Sequence, residues 1–253
     1  MTSHKKLEII KLTRCDSTNN YIKNHYQDIK DKLPVLVTAA QQTGGRGRDN
    51  RSWLSTKKKG MYSSFAFSLD SNRYLFLLPL IAGISVIKTL EKTAGTSTTP
   101  DAKFGLKWPN DILYQGKKIA GILIENTIFD QRMFCITGIG INLNHEKGDF
   151  PPQLTDKAVS LKMITGLTYK AETMNTLLAA IFFEWLEKAQ HNGKEIIQTA
   201  DAYTLFLKGQ RISFHQGPEK IITGIFRGIN HDGGLRLETG DGDIVNYYSG
   251  EIV

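Results

Sequence analysis

Cysteine is scarce in this chain: Cys15 and Cys135 are the only two among 253 residues. Two thiols cannot build a disulfide framework, and no residues have metal-ligand spacing, so neither a disulfide scaffold nor a structural zinc site is expected. A reducing cytoplasm suits such a chain. Long hydrophobic runs are also missing. The longest, Tyr74 to Ile87, falls short of the ~20 residues that span a bilayer and contains Pro79, so it reads as a core helix and no membrane association is expected. The opening Met1-Thr2-Ser3-His4-Lys5-Lys6 holds no apolar stretch of the signal-peptide kind and leads directly into a strand-like run. No internal repeat or low-complexity tract is evident.

Positive charge is present but unevenly spread. The formal net charge is +7, of which the window Arg46–Lys59 carries +5, from six basic residues and Asp49. Residues 209–253 carry −2, from four basic and six acidic residues. A C-terminal segment of that sign is a poor partner for a phosphate backbone, so no nucleic acid is expected. The basic window opens with Gly44-Gly45-Arg46-Gly47-Arg48-Asp49-Asn50-Arg51-Ser52-Trp53. Little side-chain mass is available there to bury, which predicts a loop without a fixed shape of its own. Its guanidinium groups suit a phosphate or carboxylate, and its glycines let backbone wrap one. Single-stranded nucleic acid or a solvated linker would use the same composition.

Periodicity sketches the elements. Strands are expected over Leu7–Leu12, Val35–Ala40, Gly60–Leu69, Phe104–Trp108, Ile112–Tyr114, Lys118–Ile128 and Arg132–Asn142, with hairpin turns at Gln115-Gly116 and Phe129-Asp130. Helices are expected from Asp16-Ser17-Thr18 to about Gln27, over Leu75–Leu90, over Thr173–Gln190 and over Gly193–Phe206. Composition shifts near Lys208-Gly209. Short strands Arg211–Phe214, Lys220–Ile229, Leu235–Glu238 and Ile244–Tyr248 follow, split by turns at His231–Gly234 and Asp241–Asp243, which suggests a small barrel or sandwich.

Three further motifs stand out. In Lys107-Trp108-Pro109-Asn110-Asp111, Pro109 holds Trp108 extended and Asn110-Asp111 turns the chain; a hairpin turn explains the last three residues but not the Lys and Trp before them. In Gly116-Lys117-Lys118-Ile119-Ala120-Gly121-Ile122-Leu123, a glycine inside a strand implies either a ligand lying on the backbone or a bulge, while Lys118 alone reads as a solvated strand end. In Gly138-Ile139-Gly140-Ile141-Asn142, alternation strips one strand face of side chains. That face can floor a flat ligand or receive tight packing.

Taken in order, Asp16-Ser17-Thr18-Asn19, the Arg/Gly loop through Trp53, the Lys-Trp-Pro-Asn-Asp run, the Lys118–Leu123 segment and Gly138–Asn142 resemble the biotin–protein ligases. The resemblance runs from about Leu7 to the C-terminus, where Gly250-Glu251-Ile252 looks like the close of that family's small C-terminal domain. It implies an α+β fold: a class II aminoacyl-tRNA synthetase-like catalytic domain over residues 1–208, then an SH3-like β-barrel over 209–253. It implies joining of biotin to ATP as biotinyl-5′-AMP, release of pyrophosphate, and transfer to one lysine of a biotin carboxyl carrier domain. Ser17, Thr18, Gln42, Gly45, Arg46, Lys118, Gly121, Leu123, Gly138 and Gly140 are the expected biotin residues. Arg48, Arg51, Trp53, Lys107, Asn110 and Asn142 are the expected ATP or adenylate residues, with Trp53 stacking on the adenine or the adenylate. Lys118, Arg48 and Arg46 are the expected catalytic cations, because carboxylate and α-phosphate repel until cations gather. Mg²⁺ is expected with ATP, near Asp111. Some family members begin with a helix-turn-helix that represses genes; with a catalytic-type strand beginning by Leu7, none is expected here. Monomer and homodimer both stay open, and a lipoate–protein ligase or a non-catalytic RNA-binding module are the rival readings.

Overall fold

The computed structural model describes residues 6–69, 72–95, 103–129, 132–217 and 220–252. The opening residues Met1–Lys5 and the expected Phe129-Asp130 turn fall outside them, the latter from Asp130 onward. Two sheets organise the chain. The first joins β1 (Glu8–Leu12), β2 (Val35–Ala39), β3 (Gly60–Leu69), β4 (Phe104–Lys107), β5 (Asp111–Tyr114), β6 (Lys117–Phe129) and β7 (Arg132–Asn142) in the order β1-β2-β3-β7-β6-β5-β4. Only β1 and β2 run parallel, so the sheet is mixed. The second joins β8 (Arg211–His215), β9 (Ile221–Ile229), β10 (Leu235–Glu238), β11 (Ile244–Tyr247) and β12 (Glu251–Ile252) in the antiparallel order β11-β10-β9-β8-β12.

Helices cover the first sheet unequally. Against one face pack α3 (Leu78–Ala94), α5 (Ala171–His191) and α6 (Gly193–Tyr203). Phe65 and Phe67 of β3 meet Phe182 and Phe183 of α5 there, the Phe65 and Phe182 rings stacking at 4.6 Å. Each such side chain contributes about 1.5–3 kcal/mol by leaving water. The other face is covered only in part, by α1 (Thr18–Asn24) and α2 (Tyr26–Ile29), through Ile22, Ile29, Ala66, Phe134 and Ile136. Beyond α1 that face is open, and the glycines of β6 and β7 lie there. A short helix α4 (Leu161–Thr165), which the periodicity does not suggest, follows the β7 loop.

Most elements fall within a few residues of expectation. The first helix differs: it breaks at His25 into α1 and α2. Length alone does not exclude a membrane span around residues 74–87. The helical run Tyr74–Ala94 is 21 residues, long and apolar enough to cross a membrane, but 67% of its apolar window is buried inside the protein. Burial, not length, makes it a core helix.

Trp108 joins the two sheets. Its indole Nε1 donates to Gly233 O at 3.0 Å and its ring faces Phe214 of β8 at 6.0 Å. That interdomain role is what the turn reading leaves unexplained. The Trp108–Pro109 peptide is cis.

Candidate active site

The open part of the first sheet floors a cavity of about 470 Å³. Period-two alternation places Gly138, Gly140 and Asn142 of β7 on that floor, with Leu123 and Gly121 of β6 opposite Gly138 and Gly140. Lys118 joins them against the period: three residues before Gly121, it belongs on the other face of a regular strand. A register shift between Ile112 and Leu113 of β5 leaves one extra residue, Ile119, in β6. This bulge reverses the alternation, so Lys118 and Gly121 both face the cavity while Ile119 is fully buried. Residues 157–159 clamp the Lys118 backbone, its N–H donating to Lys157 O and its carbonyl accepting from Val159 N–H.

Sixteen of the seventeen expected site residues line this cavity: Ser17, Thr18, Gln42, Arg46, Arg48, Arg51, Trp53, Lys107, Asn110, Asp111, Lys118, Gly121, Leu123, Gly138, Gly140 and Asn142. Gly45 does not. A Cβ there would stand 2.6 Å from Ser55 Oγ and 2.8 Å from Trp53 O, so its role is to let the loop pack closely.

One end of the cavity is neutral and polar. Ser17 stands at the N-cap of α1, yet its side chain makes no cap bond. Gln42 Oε1 accepts from Thr18 N–H at 2.9 Å and Thr18 Oγ1 at 3.2 Å, and Gln42 Nε2 donates to Ser55 Oγ at 2.9 Å. Ser64 Oγ lies 2.6 Å from Thr18 Oγ1 and 2.5 Å from Asn19 Oδ1, and Asn19 Nδ2 donates to Glu125 Oε2 at 2.8 Å. Burial raises the Glu125 carboxyl, but bonds from Lys23 and Asn19 and the charge of Arg46 outweigh it, leaving its pKa lowered. Asn19, Ser64 and Glu125 carry no role in the expected site. Two consecutive serines inside the apolar strand β3 were the available signal.

The cations fall into two groups, one of them beside these neutral groups. Arg46 donates to Asn20 Oδ1 and its charge acts on Asp16 and Glu125, so it stands at the α1 end. Arg48 and Lys118 anchor on consecutive residues: Arg48 Nη1 donates to Asn110 Oδ1 at 3.2 Å, and Lys118 Nζ lies 2.7 Å from Asp111 Oδ1. Arg48 also donates to Gly250 O at 2.9 Å. Asn110 and Asn142 serve the framework as well. Asn110 Nδ2 donates to Ile122 O at 2.8 Å, and Asn142 Nδ2 to Val159 O at 3.2 Å.

The Arg/Gly loop follows a definite course. A 3-10 turn spans Arg48–Asn50, Asp49 and Asn50 are left-handed, and Arg46 bridges to Ser52. It lays Trp53 on the bare sheet face: Cβ atoms added at Gly140 or Gly121 would meet the indole, and one at Gly138 would meet Asn19. Protein packing, not only a ligand, therefore explains these glycines. Lys118 Nζ lies 5.4 Å above the Trp53 ring, while buried Trp53 Nε1 has no partner among the described residues.

Among the described residues no cluster of three or more His, Cys, Asp or Glu could hold a metal ion. Asp111 is the residue expected near Mg²⁺, and its Oδ1 is taken by Lys118. Mg²⁺ favours one or two carboxylates plus substrate phosphates, so these residues fit a metal that arrives on a nucleotide.

Comparison with known proteins agrees with this geometry. Residues 12–144 match the biotin/lipoate A/B protein ligase family, and residues 208–253 match the biotin protein ligase C-terminal domain. The bifunctional ligase/repressor BirA of Bacillus subtilis is 33% identical over 225 residues, covering 86% of this chain and 65% of that protein. The biotin–[acetyl-CoA-carboxylase] ligase of Paracoccus denitrificans is 30% identical, with 89% and 92% covered. The biotin protein ligase of Aquifex aeolicus, solved in complex with biotin and ATP, superposes with a TM-score of 0.79 at 32% identity over 97% of each chain. With the family model matched over residues 12–144 and the fold superposing over 97% of each chain, the chain belongs to the biotin/lipoate A/B protein ligase family.

Proposed function

We propose that this protein activates biotin with ATP, releasing pyrophosphate, and transfers the biotinyl group from biotinyl-5′-AMP to a lysine of a biotin carboxyl carrier domain. One observation carries the reading: a single cavity has a neutral hydrogen-bonding end at Ser17, Thr18 and Gln42, and a cationic wall where Arg48 and Lys118 anchor on adjacent residues. Residues 1–208 form the catalytic unit in this reading and residues 209–253 the C-terminal barrel. A cytoplasmic setting suits two free thiols.

The ureido group of biotin is neutral, and burying it requires partners for its N–H and C=O groups. The Ser17 hydroxyl makes no cap bond, and Gln42 is held in one orientation by Thr18 and Ser55. Lipoate carries a dithiolane that neither donates nor accepts a strong hydrogen bond, so it would make no use of the Ser17 hydroxyl or of this polar end. That favours biotin.

Lys118 then stands between the biotin carboxylate and the α-phosphate, balancing the charge that builds as a carboxylate oxygen attacks phosphorus and pyrophosphate departs. Arg48 holds phosphate and acyl oxygens through its planar fork. Arg46 closes the biotin end from its seat on Asn20. Arg51, Lys107 and Asn142 attend the nucleotide, and Trp53 leaves the glycine floor to cover it. Mg²⁺ would arrive on the ATP phosphates and neutralise their charge, while the Asp111 carboxylate stays with Lys118. Loop 44–53 excludes water from the mixed anhydride until the carrier lysine attacks the acyl carbon and AMP leaves.

The test is incubation with labelled biotin, ATP, Mg²⁺ and a biotinyl carrier domain. Label reaches the carrier and is absent when the acceptor lysine is changed; lipoate in place of biotin gives none. Label arriving from lipoate but not biotin would overturn the reading.

A further inference from the structure

The C-terminal sheet puts a carboxylate into the cationic wall. Glu251 Oε2 lies 2.9 Å from Arg51 Nη1, and Oε1 lies 3.8 Å from Lys107 Nζ. Both cations line the cavity, and so does Glu251. The placement is built, not incidental. Ile252, the next residue, is fully buried in the barrel core, and Glu251 pairs with His215 across β12 and β8. Gly250 adopts φ +133, and a Cβ there would overlap the Phe214 ring, so the chain enters β12 along one narrow course. The Gly250 carbonyl is the group that accepts from Arg48. Three cations of the wall thus meet the same two residues of the barrel.

We infer that Glu251 is an affinity-determining residue for ATP: its carboxylate is the internal counter-ion of Arg51 and Lys107, and the triphosphate must displace it. The inference rests on the reading of Arg51 and Lys107 as nucleotide residues. A polyphosphate and a carboxylate compete for the same N–H donors, and the two anions repel at close range. Glu251 therefore opposes triphosphate binding while keeping both side chains ordered and the wall closed in its absence. The competition is specific to the phosphates, because the adenosine moiety carries no anion. It also couples the two sheets, since the carboxylate that moves aside belongs to the barrel.

The test is titration calorimetry with α,β-methylene-ATP, which cannot release pyrophosphate, and with adenosine as the phosphate-free probe. Glu251→Gln keeps size and hydrogen-bonding capacity and removes the charge. Its affinity for α,β-methylene-ATP rises about 3–10-fold, the range of one or two half-exposed ion pairs, with adenosine unchanged. Glu251→Asp, which withdraws the carboxylate by one methylene, gives a smaller rise and serves if the glutamine variant folds poorly. Unchanged or weaker analogue binding in Glu251→Gln, with binding weakened in Arg51→Ala, overturns the inference and leaves the site reading intact. Unchanged analogue binding in Arg51→Ala overturns both. Equal tightening toward adenosine also overturns the inference, because displacement by phosphate predicts none.

Discussion

Lys118 and Asp111 offer the sharpest test of the electrostatic wall. Lys118→Ala removes the cation that faces the reacting centre. Loss of one preorganised electrostatic group lowers the rate about 10²–10³-fold. The structure adds a second penalty. Asp111 is only 15% exposed, and Lys118 at 2.7 Å is its ion-pair partner. Without Lys118 that carboxylate is left uncompensated on the wall, facing two more anions. At ~6 Å and an effective dielectric of ~20, each repulsion amounts to about 3 kcal/mol. Lys118 is itself about one-third exposed, so solvent screening reduces this to about 1–2 kcal/mol. Asp111→Asn in the Lys118→Ala background should therefore recover about tenfold in rate. The assay is biotin-dependent exchange of labelled pyrophosphate into ATP, which reads activation apart from transfer, with thermal melting to confirm folding. A double variant no faster than Lys118→Ala refutes the reasoning.

Gly140→Ala puts a methyl group on the bare floor that the ligand takes once Trp53 lifts away; the misplaced substrate lowers pyrophosphate exchange by about 10²-fold, and an unchanged rate would show that the ligand does not lie on Gly140. Arg48→Ala still forms adenylate but loses it to water, seen as AMP accumulating from biotin and ATP without any carrier; adenylate as long-lived as in the unaltered protein contradicts the lid role. His145 is fully buried, its ring nitrogens lack partners among the described residues, and burial pushes its pKa down to about 4. The unfolded chain takes up this proton below ~6.5 and the folded chain does not, so stability is lost as pH falls from ~6.5 to ~4, by about 3 kcal/mol. His145→Phe flattens that limb of the Tm–pH profile, and a profile that keeps its slope contradicts the assignment.

Much of the cavity was legible in the sequence because strands and polar motifs are local. Val35–Ala39, Gly60–Leu69 and Arg132–Asn142 follow from apolar runs ended by glycine or polar residues, and the Gly-Ile alternation names the floor of β7 directly. Asn19 sat inside a motif without a role, since nothing near it in the chain reveals Ser64 and Glu125, 45 and 106 residues away. Gly45 packs against Ser55 and Trp53, which no sequence pattern reveals, because a glycine beside arginines looks the same whether a ligand or a neighbouring side chain approaches it.

Residue chemistry by itself determined that cations, neutral hydrogen-bonding groups and bare strand faces exist in this chain and in what order, because charge, polarity and side-chain size are properties of single positions. Tertiary structure decided which of them meet. One extra residue at Ile119 turns Lys118 toward the cavity against its expected face, and burial of Ile252 in a separate sheet carries Glu251 onto Arg51. A bulge depends on the register of a partner strand and an interdomain ion pair on how two sheets pack, and neither leaves a periodic mark along the chain.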